Sequence, residues 1–284
     1  EGVTVFRPAT LTALRQESDY AELSITQEGG KAALLRSPVV IGADGTASTV
    51  RTLLQIEVET TDYQQTAIVT RTKLANQHAG CAYERFTNQG AIAMLPLPEQ
   101  ECATIWSLRS EEAEKLLQLS DLAFIAQLQE AFGQRLGPFV SITQRHSFPL
   151  RLVRAKQSVD RHVFLLGNAL HTVHPIAAQG FNLALYEVAV LVEGMVDCLK
   201  SGSALSVQDL VRLSAQTEKQ QQSSIQVSHQ LAELFSTDRI WQQQGLGIGM
   251  AIFDIFSPLK KYFLNRLLGR AGKTPRLLMN MKDA

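Results

Sequence analysis

The chain has 284 residues, 45% of them hydrophobic, enough to build more than one core. Its 27 basic residues cancel its 27 acidic ones, so the basic excess of a phosphate-binding surface is missing and no nucleic-acid partner is expected. Cys81, Cys102 and Cys198 are odd in number and far apart, which argues against a disulfide framework or a zinc site and suits a reducing cytoplasm.

From residue 1 to about 55 the pattern is β-rich. Val3 and Val5 alternate with polar neighbours, Leu23 and Ile25 do so again, and Gly29-Gly30 suits a hairpin turn. The chain begins without Met and already inside an alternating pattern, which reads as a fragment. In SPVVIGADGTASTVR, Val39, Val40 and Ile41 have the character of a strand buried on both faces. It ends at Gly42 to Gly45, and a short helix is expected from Ser48. Ligands of open α/β sheets collect at the carboxyl ends of strands, where Asp44 would sit. Taken alone, Asp44-Gly45 is ordinary turn chemistry.

Residues 60–150 change character. QTAIVTRT, CAYERFT, AIAMLPL, CATIWSL and ITQRHSFPLRL alternate as an antiparallel sheet does, and Glu111 to Leu119 and Asp121 to Phe132 have helical spacing. A sheet domain of α+β type thus lies between two pieces of an α/β domain. That order predicts a cleft at the junction, where small molecules bind.

Val163 to Leu166 form an apolar run stopped by Gly167-Asn168, a buried strand ending in a turn. From about Gln179, Leu183, Tyr186, Val190 and Leu191 fall at helical spacing. The loop between them carries Pro175 and then the small residues Ala177, Ala178 and Gly180, so a ligand could approach the backbone where the helix begins. The free N–H groups and dipole of such a helix start are worth roughly 0.3 to 1 kcal/mol toward a negative group. After Leu191 the pattern is helical, with the polar tract Lys219 to Gln222 expected on a solvated face. The stretch Gly245 to Arg270 joins apolar residues to Lys260, Lys261, Arg266 and Arg270. It fits a membrane-surface or partner-docking helix, or a terminal helix packed on the core with a solvated basic face.

Together these motifs resemble the FAD-dependent aromatic hydroxylases, within them the ubiquinone-biosynthesis monooxygenases. Ala43, Asp44, Gly45, Ser48 and Arg51 match an A-D-G-x-x-S-x-x-R segment whose Asp serves the flavin pyrophosphate and pyridine nucleotide. Gly167, Asn168, Pro175, Gln179, Gly180 and Asn182 match a later segment that holds the ribityl chain and the edge of the flavin ring. AYERFT from Ala82 to Thr87 and the pair Pro149-Leu150 look like the subgroup's substrate domain. Asn168 stands where most of the wider family has Asp, and Ala178 where it has Gly.

The resemblance implies an α/β plus α+β chain of the FAD-dependent hydroxylase fold, a partial Rossmann-like FAD domain with an inserted antiparallel-sheet substrate domain. The expected division is FAD-binding pieces at 1–58 and 156–200, a substrate-binding sheet at 59–155 and a C-terminal helical region at 201–284. No G-x-G-x-x-G follows a strand in these residues, so the N-terminal dinucleotide-binding unit is expected to be missing and the chain alone inactive. Asp44, Gly45, Gly167, Asn168, Pro175, Gln179, Gly180 and Asn182 are the implied FAD-binding residues. His174 and Pro175 are flavin-side candidates, no catalytic residue is assigned, and Tyr83 and Arg85 are substrate-side candidates. His171 and His174, three apart on a loop without a nearby carboxylate, make a poor zinc signature and read as loop-positioning residues.

The implied reaction uses FAD, NADPH or NADH and molecular oxygen to hydroxylate a polyprenylated phenol. It would take place in the cytoplasm or peripherally at the inner face of the membrane, in a homo-oligomer or a quinone-biosynthesis complex. Two alternatives stay open: a hydroxylase of a soluble aromatic substrate, and a non-catalytic organising subunit of such a complex.

Overall fold

The computed structural model describes residues 2–87, 90–175, 179–235 and 274–279. They divide into two compact units: 2–60, 152–228 and 274–279 in the first, 61–151 and 229–235 in the second.

The first unit opens with a three-stranded antiparallel meander of β1 (Ala9–Gln16), β2 (Ala21–Gln27) and β3 (Ala32–Ser37). Gly29 and Gly30 turn β2 into β3 with φ of 77° and 76°, a backbone that glycine adopts freely. The expected strand at Val3 and Val5 does not form. Those side chains are 83% and 74% exposed, because the β1 ladder begins at Ala9 opposite Gln27 and no described strand runs beside the residues before it.

A second small sheet has the order β11 (Val159–Asp160), β12 (Val163–Leu165), β4 (Val40–Gly42), with β12 and β4 parallel. Val163 and Leu165 turn one way, into a core with Ala21, Val40, Val50 and Ile56. Phe164 turns the other way, against Tyr186, Val190 and Leu191 of α4 (Gln179–Lys200) and Leu210 and Leu213 of α5 (Val207–Phe235). Those helices cover Phe164 but not its register partner Ile41, which is 42% exposed, so β4 is not buried on both faces as its composition predicts. The tract Lys219 to Gln222 also differs from expectation. Lys219 and Gln222 are solvated, but Gln220 is buried and Gln221 half-buried, since α5 carries Thr217, Gln220, Ser224 and Ser228 on its inward stripe. A short helix α6 (Arg276–Met279) is tied to α4 by Arg276, whose Nη2 donates to both Asp197 carboxylate oxygens at 2.8 Å.

The second unit is an antiparallel sheet in which β10 (His146–Ala155), β5 (Val58–Leu74), β8 (Glu101–Arg109), β7 (Gly90–Leu97) and β6 (Tyr83–Thr87) are successive neighbours, with β9 (Phe139–Ile142) also on β5. Helices α2 (Ser110–Leu117) and α3 (Asp121–Phe132) belong to this unit. Ser120 caps α3, its Oγ accepting from Ala123 N at 3.3 Å. Phe124, Leu128 and Phe132 pack on Ile68, Ile92, Trp106 and Leu108. Gly90 has φ of 143°, and a Cβ there would lie 1.9 Å from the Ser107 carbonyl oxygen. Gly90→Ala must therefore open the β7–β8 pairing; chemical denaturation should show a loss above about 1 kcal/mol. The stretch Gly245 to Arg270 lies outside the described residues. Among the described residues no helix is long and apolar enough to cross a membrane.

Candidate functional site

Because β4 and β12 run parallel with Gly42 opposite Leu165, the segments that follow them leave the sheet side by side. Leu166 N extends the ladder by donating to Gly42 O at 2.9 Å. Glycine is needed at position 42 because a Cβ there would come within 2.8 Å of Leu165 and 3.0 Å of Val50. The chain then turns through Gly45, at φ of 86°, into the short helix α1 (Thr49–Leu53).

Asp44 secures that turn. One carboxylate oxygen accepts from Ser48 Oγ at 2.6 Å and the other from Val50 N at 3.1 Å, while Ser48 Oγ accepts from Arg51 N at 3.0 Å. Burial works against the charged form of Asp44, but the hydrogen bonds from Ser48 and from the backbone at Val50 outweigh it and hold the carboxyl below its ordinary value. Asp44 is nonetheless exposed, so a donor from solvent or a ligand can reach its carboxylate.

Arg51 explains why the first motif ends in an arginine. Its buried guanidinium donates to Thr46 O at 2.7 Å and to Ala169 O at 2.8 Å. One side chain thus fastens the loop after β4 to the 3-10 turn Gly167–Ala169 after β12. The Thr46 and Thr172 hydroxyls, 2.8 Å apart, add a second tie.

The second loop is held from below. Gly167 has φ of 56°, and its N–H donates to Glu187 Oε2 at 3.1 Å. Glu187, completely buried in α4, also receives Gln221 Nε2 at 2.8 Å and His171 Nε2 at 2.5 Å on its other oxygen. His171 itself sits in β13 (His171–Thr172), a two-residue strand paired with the end of β10. The sequence leaves this histidine without a nearby carboxylate, but the fold brings Glu187 to it and, through Glu187, links it to Gly167. Glu187 is a residue the sequence reading missed. The signal was an acid inside the otherwise apolar stripe Leu183, Tyr186, Val190, Leu191.

With the loop fixed in this way, Asn168 is exposed between half-buried Gly167 and buried Ala169. His174 is 3% exposed, and burial pushes its imidazole down to about 4, so it is neutral at physiological pH. Pro175 is exposed. Helix α4 starts at Gln179, with Gly180 against Val173 and Asn182 exposed; Ala178 lies outside the described residues. Tyr83 and Arg85 are engaged within the sheet unit. The Tyr83 ring stands edge-on to Phe132 at 6.4 Å, and Arg85 Nη1 donates to the Phe132 carbonyl.

The family described as "FAD binding domain" matches residues 1–209. The chain belongs to that family. It is 34% identical to the ubiquinone hydroxylase UbiL of Rhodospirillum rubrum over 97% of its own length and 64% of UbiL. To the 3-demethoxyubiquinol 3-hydroxylase of Escherichia coli it is 32% identical, over 71% of this chain and 50% of that protein. The chain thus spans between about half and two thirds of these relatives. Among solved structures, PqsL, a probable FAD-dependent monooxygenase of Pseudomonas aeruginosa, superposes with a TM-score of 0.67 at 26% identity, covering 84% of this chain and 66% of that one. The anhydrotetracycline hydroxylase OxyS of Streptomyces rimosus superposes at 0.73 and 21% identity, covering 96% and 54%. The FAD-dependent hydroxylase fold expected from the sequence is the fold observed.

The residues at the two strand ends suit the family's cofactor. The exposed carboxylate of Asp44 can accept from hydroxyls, and the exposed amide of Asn168 can donate and accept. The 22-residue helix α4 begins within the second motif, so the positive end of its dipole lies there. Asp44→Ala removes the anchor of the turn and the acceptor expected to serve the cofactor. The turn should lose about 1 kcal/mol of stability, read by thermal melting, and FAD affinity should fall roughly ten-fold to a hundred-fold. Unchanged flavin retention after dialysis would remove Asp44 from the site.

Proposed function

We propose that the protein is an FAD-dependent monooxygenase that uses NADPH or NADH and molecular oxygen to hydroxylate the aromatic ring of a polyprenylated phenol in ubiquinone biosynthesis. The observation that carries this reading is the convergence of the two motifs, Ala43 to Arg51 and Gly167 to Asn182, at adjacent parallel strand ends fastened by Arg51. The names of the relatives supply the substrate class.

In this reading residues 1–58 and 156–200 hold the flavin, and 59–155 form the substrate-binding sheet. Asp44 and Gly45 serve the pyrophosphate side, Gly167 and Asn168 the ribityl chain, and Pro175, Gln179, Gly180 and Asn182 the ring edge. The chemistry FAD supplies when bound is acceptance of hydride from NAD(P)H and activation of oxygen for transfer of one atom to the ring. The protein's part is to orient and to exclude water. The N-terminal dipole of α4 favours negative charge developing at the ring edge. Neutral His174 adds no competing positive charge there.

The test is NADPH oxidation by the FAD-loaded full-length protein with and without a prenylated phenol, with product mass measured. Substrate-stimulated oxidation and a product heavier by one oxygen are expected. Oxidation stimulated only by soluble aromatic acids would favour the soluble-substrate alternative, and none at all the organising subunit.

A further inference from the structure

Arg154 and His171 are register partners in the β10–β13 pair, so their side chains lie on the same face of that ladder. The face borders a cavity of about 290 Å³, walled on the other side by Ser214, Glu218 and Gln221 of α5. Two groups in this wall have unmet capacity. Among the described residues no hydrogen bond or ion pair engages the guanidinium of half-buried Arg154. Nδ1 of His171, a residue only 3% exposed, likewise has no partner. An unpaired guanidinium and an orphaned buried imidazole nitrogen are each costly unless a ligand meets them.

The charges in the lining decide which ligand. Arg154 and Lys156 are positive and Glu218 negative. Lys156 is already bound to Glu57 at 2.5 Å, and Glu218 accepts from Gln222 at 3.0 Å. Among the described residues Arg154 is thus the cation of the wall without an ion-pair partner, and its planar fork matches an oxyanion bidentately; Glu218 keeps its negative charge, since its bond is to a neutral amide. His171 gives its Nε2 proton to Glu187, which leaves Nδ1 a lone pair for a ligand hydroxyl when the ring is neutral, or an N–H for an anionic oxygen when it is charged. We propose that this cleft binds a small oxyanion, the phosphate or carboxylate group of a ligand, with Arg154 taking the charge and His171 completing the hydrogen bonding. The link from His171 through Glu187 to Gly167 N joins this cleft to the turn after β12.

Titration of the protein with inorganic phosphate and, separately, malonate at constant ionic strength tests the proposal, followed by NMR of the Arg154 Nε–H and the His171 ring. Saturable shifts at both groups are expected. Tighter binding of one anion tells phosphate from carboxylate, and saturation by neither overturns the site. Arg154→Gln should weaken binding about ten-fold or more, whereas Lys219→Gln, an equal loss of charge at a solvated position, should leave it unchanged. Equal weakening in both variants would mean diffuse charge rather than a site. Modification of Arg154 by phenylglyoxal, slowed by the bound anion, answers the same question without a substitution, and absence of protection overturns the proposal.

Discussion

Glu187→Ala should be the most damaging single substitution in the first unit, lowering stability by about 3 to 5 kcal/mol. The carboxylate is completely buried and accepts from three donors, Gly167 N, His171 Nε2 and Gln221 Nε2. Truncation takes that partner from Gly167 N and His171 Nε2, while half-buried Gln221 Nε2 keeps Thr217 Oγ1 at 3.0 Å, and each donor left unmet costs on the order of 1 to 3 kcal/mol. Glu187→Gln keeps one acceptor and the side-chain shape, so it should lose less. Chemical denaturation measures both, and Glu218→Ala serves as a solvated control on a neighbouring helix. Glu187→Ala should also release FAD more readily than wild type, because Gly167 loses the bond that fixes its turn. A Glu187→Ala protein within about 1 kcal/mol of wild type would show that solvent reaches the network.

That network also marks where the sequence stops being legible. Each half of the site can be read locally: Asp44, Ser48 and Arg51 at helix-start spacing, and Gly167-Asn168 at the end of an apolar run. Helix α3 is legible to its ends, since Ser120 caps it and Gly133 follows Phe132. Elements that depend on a partner far away in the chain are not. The two residues of β13 exist only because the end of β10 runs beside them. Gln220 and Gln221 read as solvated until α4 supplies Glu187 for Gln221 to bind. Val3 and Val5 fail in the opposite sense, since alternation makes a strand only where a neighbour accepts its ladder. Arg51 shows the limit most clearly. Its place in the motif is visible, but its bond to Ala169, 118 positions away, requires the fold.

His174 should make the protein lose stability as pH falls from 6.5 toward 4. Burial lowers its folded value to about 4 from the ordinary 6.5, so between those limits the unfolded chain binds a proton that the folded chain refuses, and stability rises with pH there. The contribution is fully present above 6.5, is lost progressively below it, and changes no further under about 4, where both states are protonated. At about 1.36 kcal/mol per pH unit the loss amounts to roughly 3 kcal/mol. Asp44 acts in a different window. Its lowered carboxyl contributes above its ordinary value of 3.8 and is lost only below that, so its effect begins about where that of His174 ends. Denaturation of wild type and His174→Gln at pH values from 7 down to 4 isolates the histidine. The variant should be less stable at pH 7 if the imidazole packs well, yet its stability should fall with a clearly shallower slope. Parallel curves in that interval would mean that the folded protein accepts a proton at His174 as easily as the unfolded chain does, and the neutral imidazole assigned to the flavin-side loop would have to be given up.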